Sequence, residues 1–302
     1  MTATQFFVAT DEFGVERMSG KPVQWTLPKG DGPSIALARP DDELVVLRSP
    51  LALLDTLDEV IWVAEPIDSA IAVDDSGELH VHAARLITRT SWNPSIAARF
   101  AIECAEHAIG DAADVTLPNG QRIADVLVDA RAFLDSASES SAHLGLLSRL
   151  ATIRRLKREN RLVTDLAYGL SIEDLNNDLD VTLDPAWTSA ASVADSLFAA
   201  LEALRHLAFP RYVRAREALA VEQETHGDTS VAPTILSTPW GSVTVGGSEH
   251  ESPYLPSAVA AREAALRARE AVRDREGTVG EAVERRWQAD RLAASLGVPA
   301  GI

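Results

Sequence analysis

The chain has 302 residues, 46% apolar and 24% charged, a balance that suits one large or two ordinary globular domains and excludes a disordered or fibrous chain. Its 28 basic and 45 acidic side chains leave a net charge of −17, which argues against a surface built to embrace phosphates. A single cysteine, Cys104, excludes an intrachain disulfide framework and a multi-cysteine zinc site, and fits a reducing cytoplasm. No basic segment leads into an apolar run at the N-terminus, and no apolar stretch reaches the roughly 20 residues of a membrane-spanning helix. Neither a secretion signal nor a membrane partner is therefore expected.

Residues 1–90 carry 7 basic and 15 acidic side chains, a balance of −8. Here short apolar runs at 5–9, 23–27, 35–38, 44–47, 61–64 and 80–87 alternate with Gly- and Asp-rich turns and predict strands. Ser49 before Pro50 is an N-cap followed by a first-turn proline, so a short helix starts there. The reading is a small α+β module.

After Trp92 the period changes from two to about 3.6. Asn93-Pro94 opens a helix whose stripe is Ile96, Ala97, Phe100, Ala101, Cys104, Ala105 and Ala108, closed by Gly110. A second helix carries Ile123, Val126, Leu127, Ala130, Phe133 and Leu134, and a third carries Leu144, Leu147, Leu150, Ala151 and Ile153. Further helical stretches are expected near 161–169, 171–179, 188–207 and 210–224. Residues 225–256, rich in Gly and Pro, read as an irregular flap, with Val243-Thr244-Val245 as one strand of a hairpin turning near Trp240-Gly241. Two amphipathic helices, 257–275 and 279–296, close the chain on either side of Gly277. The fold class is thus α+β: the module at 1–90, then a mainly α-helical bundle domain at 91–302 with a long loop or hairpin insertion.

The chemistry-bearing motifs are few. No phosphate-binding glycine loop and no nucleophile elbow is present. His80 and His82, two apart on a predicted strand, point to one face and could hold zinc or iron if Glu103, Cys104 or His107 of the next helix supplied a third ligand. Two surface histidines on a strand are the commoner outcome. Cys104 sits on its helix's small-residue stripe and reads as core rather than nucleophile. The stretch Asp174–Asp180 begins like a calcium loop, but Leu179 stands where glycine is needed and Pro185 where the bidentate glutamate belongs. The one basic cluster, Arg149, Arg154, Arg155, Lys157, Arg158 and Arg161, lies among acids and suits internal pairing better than nucleic acid. No cofactor is implied.

Residues 85–135 carry a pattern of their own. Arg85-Leu86-Ile87-Thr88-Arg89-Thr90-Ser91-Trp92-Asn93-Pro94, followed by Ala98-Arg99-Phe100-Ala101-Ile102-Glu103-Cys104-Ala105-Glu106-His107-Ala108, resembles a helical domain of immunity proteins from bacterial toxin–immunity loci, also found in phage and actinobacterial proteins. Gln121-Arg122-Ile123-Ala124-Asp125 matches its second helix in part. The helix Glu284-Arg285-Arg286-Trp287-Gln288-Ala289-Asp290-Arg291-Leu292 is similar to its closing helix, and Ile61-Trp62-Val63-Ala64-Glu65 to the small domain that precedes it. The resemblance covers about half the chain, rests on packing residues and brings no catalytic residues.

The expectation that follows is a non-enzymatic, cytoplasmic binding protein of the immunity or inhibitor kind, presenting an acidic helical surface to a basic protein partner. Two other readings stay open: a metal- or ligand-binding enzyme at the junction of module and helices, and a structural or assembly protein, phage-encoded, whose C-terminal helices pack between copies of the chain in a homo-oligomer.

Overall fold

The computed structural model describes residues 5–16, 22–27, 34–37, 44–67, 72–73, 78–110, 113, 122–135, most of 192–204, 234–238, 241–245 and 256–297. The helices expected at 144–153, 161–179 and 210–224, the basic cluster and the calcium-like stretch lie outside these residues. Contacts group 1–110, 185–203 and 256–302 into one compact unit and 111–184 with 204–255 into another.

In the first unit the apolar runs become nine short strands: β1 (Phe6–Thr10), β2 (Val15–Glu16), β3 (Val23–Gln24), β4 (Ser34–Leu37), β5 (Leu44–Leu47), β6 (Val60–Pro66), β7 (Ala72–Val73), β8 (Glu78–Val81) and β9 (Ala83–Arg89). Seven form one antiparallel sheet in the order β4-β9-β6-β1-β5-β8-β7, while β2 and β3 pair separately. Leucine and valine fill β5, and valine, isoleucine and tryptophan lead β6, residue types that pack well on a pleated surface. Both faces of the central strands are buried. Val8, Trp25, Val46, Trp62, Leu79, Val81 and Leu86 form a core on one side. Phe7, Ala9, Val45, Leu47 and Ile61, at the alternate positions, are buried on the other.

One departure from the sequence pattern matters here. The run 80–87 is two strands, not one. The chain bends at His82, so β8 pairs with β5 and β7 while β9 pairs with β6 and β4. Apolar residues continue past the bend with no Gly or Pro between, which is why the run looks continuous, although the buried positions slip from Leu79 and Val81 to Ala84 and Leu86.

Helices begin where the caps say. Ser49 Oγ accepts from the Ala52 amide ahead of α1 (Pro50–Leu53). Asn93 Oδ1 accepts from the Ser95 and Ile96 amides ahead of α2 (Pro94–Ala108). Trp92, between β9 and α2, donates its indole N–H to the Asp58 carbonyl at 3.0 Å and meets the Phe100 ring edge-on. The second unit holds α3 (Ile123–Asp135), with Val126, Leu127 and Ala130 buried, and an antiparallel pair β10 (Thr234–Thr238) and β11 (Gly241–Val245) in register from Thr238↔Gly241. That pair falls inside the expected flap and includes the expected strand.

The last element, α4 (Ser257–Leu296), is helical on both sides of Gly277, whose φ of 72° and ψ of −167° lie outside helical space. There the chain reverses. Gln288 donates to the Ala265 carbonyl at 3.0 Å, although 23 residues of straight helix would hold them about 35 Å apart. The two arms therefore form a helical hairpin; the sequence places the break between two helices at Gly277 but not the reversal. α2 packs along this hairpin. Ala97, Ala101, Ala105 and Ala108 of α2 and Ala261, Ala264, Ala265, Ala268 and Ala271 of the first arm are all buried, which lets backbones approach closely. Helical residues between 192 and 203 run along the first arm, with Ser196 Oγ donating to the Ala264 carbonyl and Ser257 Oγ to the Ala203 carbonyl.

Two glycines shape the turn for different reasons. Gly277 supplies the positive φ, in open space. Gly280 supplies room, since a Cβ there would stand 2.4 Å from Glu276 Cβ and 3.1 Å from Val272 Cγ1. Helix propensity alone would make Gly280→Ala stabilising by about 1 kcal/mol. Steric overlap with an atom fixed to the backbone outweighs that gain. We expect a net loss of about 1–3 kcal/mol in urea unfolding.

Candidate functional site

The polar side chains of α2 and of the second arm recur at helical spacing on surfaces otherwise lined by alanine and leucine. Glu103, Cys104 and His107 lie at i, i+1 and i+4. Glu284, Gln288 and Arg291 lie at i, i+4 and i+7. Packing α2 on the hairpin brings the two sets together in a polar layer.

Arg291 donates through Nε and Nη2 to the two oxygens of Glu103, at 2.7 and 2.6 Å, a fork-to-fork pair. About one turn away, Glu284 Oε2 lies 2.5 Å from His107 Nδ1, the ring nitrogen that suits an N–H donor. Its Oε1 accepts from Gln288 Nε2 at 2.9 Å. The Trp287 indole lies flat on the His107 imidazole, with centroids 3.8 Å apart and planes 5° from parallel. Glu284 is 1% exposed, so a carboxylate is held in the interior by an imidazole at its edge and a carboxamide from its own helix.

A third contact ties the hairpin to the sheet module. Asp55, just after α1, accepts from Arg269 Nη2 of the first arm and Arg285 Nη2 of the second, both at 2.6 Å. Arg269 is buried and Asp55 half-exposed. One carboxylate thus bridges both arms. Arg275 adds a C-terminal cap to α2, donating to the Ala108 carbonyl at 2.6 Å.

Cys104 is fully buried in this layer. Burial, reinforced by the charges of Glu284 and Glu103 and opposed by Arg269 and Arg291, pushes its thiol well above the ordinary range. The thiolate is the nucleophile, so the native thiol is inert. Ellman's reagent is expected to label no thiol in the folded protein at pH 8 and one per chain in denaturant. Rapid labelling of the folded protein would contradict this burial.

The metal candidates do not converge. His80 lies on β8 and His82 at the bend, so the shared-face argument from strand alternation does not hold. His107 is engaged by Glu284 and Trp287, and Glu103 by Arg291. Among the described residues no group of three or more His, Cys, Asp or Glu side chains is placed to hold a metal ion. Glu103, Cys104 and His107 stand out together on α2, whereas the α4 partners of His107 and Glu103 lie 177 and 188 residues away in the chain.

A second charged feature lies on the sheet module. Asp11 Oδ1 accepts from the Phe13 and Val15 amides, and Glu59 Oε2 from the Glu12 amide at 3.0 Å. Burial first, and the charges of Glu12, Asp58 and Asp11 after it, raise the Glu59 carboxyl above its ordinary value, against the pull of the Glu12 amide. Phe13, next in the chain to Glu12, is 71% exposed. The folded state therefore favours protonated Glu59. That contribution to stability is complete below the free carboxyl's pKa and is lost as pH rises through the raised folded value. Glu59→Gln is expected to stabilise the protein at pH 7 by about 0.5 kcal/mol, the scale of solvent-screened charge interactions, and the gain should close in acid. Unfolding in urea at pH 7 and pH 4 checks it.

Compared with family models, curated protein sequences and solved structures, the chain matches none. The described residues form a mixed α+β fold with an antiparallel sheet and a C-terminal helical element. No helix among the described residues is long and apolar enough to cross a membrane.

Proposed function

We propose that the protein is a non-enzymatic binding protein of the immunity or inhibitor kind, acting in the cytoplasm, that covers a basic protein partner. In this reading the α-helical part is a bundle that serves as scaffold. The observation that carries the reading is the uneven charge. Residues 1–90 hold a balance of −8, whereas Ser257–Leu296 holds eight arginines against seven acids. The negative charge therefore lies on the sheet module and on residues 91–256, which hold 13 basic and 23 acidic side chains, and not on the C-terminal helices. The carboxylates of Asp11, Glu12 and Asp58 crowd Glu59, and the exposed Phe13 follows Glu12 in the chain, so an apolar side chain stands beside concentrated negative charge, a composition that suits a steered protein interface. The polar layer between α2 and α4 supports the non-enzymatic half of the reading, because its charges are matched to one another.

The test is calorimetric titration of the purified chain with the protein encoded beside it. A stoichiometric complex is expected, weakening as salt rises from 50 to 300 mM and weakened further by Glu12→Lys. No binding at 50 mM salt would sink the proposal. One bound equivalent of zinc or iron in the purified chain would favour the enzyme reading instead.

A further inference from the structure

Glu284 is buried, yet among the described residues no arginine pairs with it. Arg285, next in the chain, reaches Asp55, and Arg291, two turns on, reaches Glu103. The group at hydrogen-bond distance that can carry a positive charge is His107, whose Nδ1 lies 2.5 Å from Glu284 Oε2. Its ring is partly open to solvent, and one face is covered by the Trp287 indole. Nε2, the nitrogen left when Nδ1 donates to Glu284, has no hydrogen-bond partner among the described residues. His107 also stands in the last turn of α2, where unpaired carbonyls attract positive charge.

We propose that His107 is a proton-operated latch between α2 and the second arm of α4, tightening when Nε2 takes a proton from solvent and loosening when it gives the proton up. Imidazole is the side chain whose charge ordinarily changes between about pH 5 and 8. With a neutral ring, Glu284 has a hydrogen bond but no countercharge in contact. With a protonated ring the same contact is an ion pair inside the protein, and the cation lies on the face of an indole. The surrounding charges do not decide between these states. Glu103, one turn earlier on α2, is matched by Arg291 of the second arm. Arg269 of the first arm is matched by Asp55, and Cys104 stays a neutral thiol. Glu106 beside the ring and Arg275 of the first arm, which caps the Ala108 carbonyl, act with opposite signs. Glu284 is the charge in contact. The latch is therefore closed in acid, and its contribution is lost as pH rises through the titration of the imidazole.

A double-mutant cycle of His107→Gln and Glu284→Gln, read by urea unfolding of the full chain at pH 5.5 and pH 8, tests this. The coupling between the two positions, as an equilibrium constant, is expected to be about fivefold larger at pH 5.5, the difference between a neutral and a charge-assisted hydrogen bond. A purely structural contact gives the same coupling at both. Trp287 emission, taken as the difference between the parent and Trp287→Phe, should change between pH 8 and pH 5.5 as the stacked ring gains its charge. In a His107→Gln background that change should vanish. His107 is partly exposed, so this second comparison decides the matter even if Glu284→Gln does not fold. Equal coupling at the two pH values, or a Trp287 emission that follows pH equally without His107, would overturn the proposal.

Discussion

Phe100→Ala is expected to lower the unfolding free energy by about 3–5 kcal/mol, the largest loss from any single truncation in α2. Phe100 is fully buried, and its ring meets Trp92 with centroids 6.0 Å apart at an interplanar angle of 68°. Trp92 is itself tied to the Asp58 carbonyl, so the aromatic pair links the start of α2 to the segment leading into β6. The neighbours on α2 are mostly alanine, which have no reach to fill a ring-sized void. The cavity should therefore persist, and the cost should sit near the top of the range. Phe100→Leu, which keeps most of the volume, should lose less than half as much. Urea denaturation followed by far-UV circular dichroism measures both. Equal losses would mean that this core collapses around the gap.

The second large effect is expected at Glu284. Glu284→Ala should cost about 2–3 kcal/mol and should also change the tryptophan emission spectrum. Two opposing effects decide the size. Removing a buried carboxylate relieves its desolvation, which is favourable. It also strips charge-assisted hydrogen bonds from His107 and Gln288, each about 1.5–3 kcal/mol. His107 is 43% exposed and can turn to water, but Gln288 is buried and already has an unpartnered Oε1. The loss of partners wins. Without the carboxylate the imidazole no longer has a reason to lie flat on Trp287, hence the spectral change. Glu284→Gln keeps the shape and should lose roughly half as much. An unchanged spectrum and unchanged stability would show that the layer does not orient these groups.

What was legible in the sequence was mainly local. The caps at Ser49 and Asn93 announce α1 and α2 because each needs only the next three residues. The break at Gly277 announces two C-terminal helices because few other residues adopt its φ. The strands of the module were legible as apolar runs, but their order was not, since β1 lies between β5 and β6 through pairings set by the whole sheet. The bend at His82 is hard to see because no Gly or Pro marks it and apolar residues run on through Ala83, Ala84, Leu86 and Ile87. The polar layer was half legible. Glu103, Cys104 and His107 stood out as chemistry-bearing residues on one helix face, but Glu284 and Arg291 read as ordinary members of a charged helix. Only the reversal at Gly277 brings Gln288 over Ala265 and both Arg269 and Arg285 onto Asp55. Alanine stripes that suit contact between subunits are, in the folded chain, the means by which three helical segments approach each other within it.

The polar layer exists only through that reversal, and a distance across the hairpin tests it directly. Arg262 and Ala294 are both exposed, one on each arm. Spin labels at Arg262→Cys and Ala294→Cys, in a Cys104→Ala background, report their separation by pulsed electron resonance. Antiparallel arms with axes about 10 Å apart should give a distribution centred below about 25 Å, label arms included. A population centred near 48 Å, the length of 32 residues of unbroken helix, would contradict the hairpin and with it the polar layer that the hairpin builds.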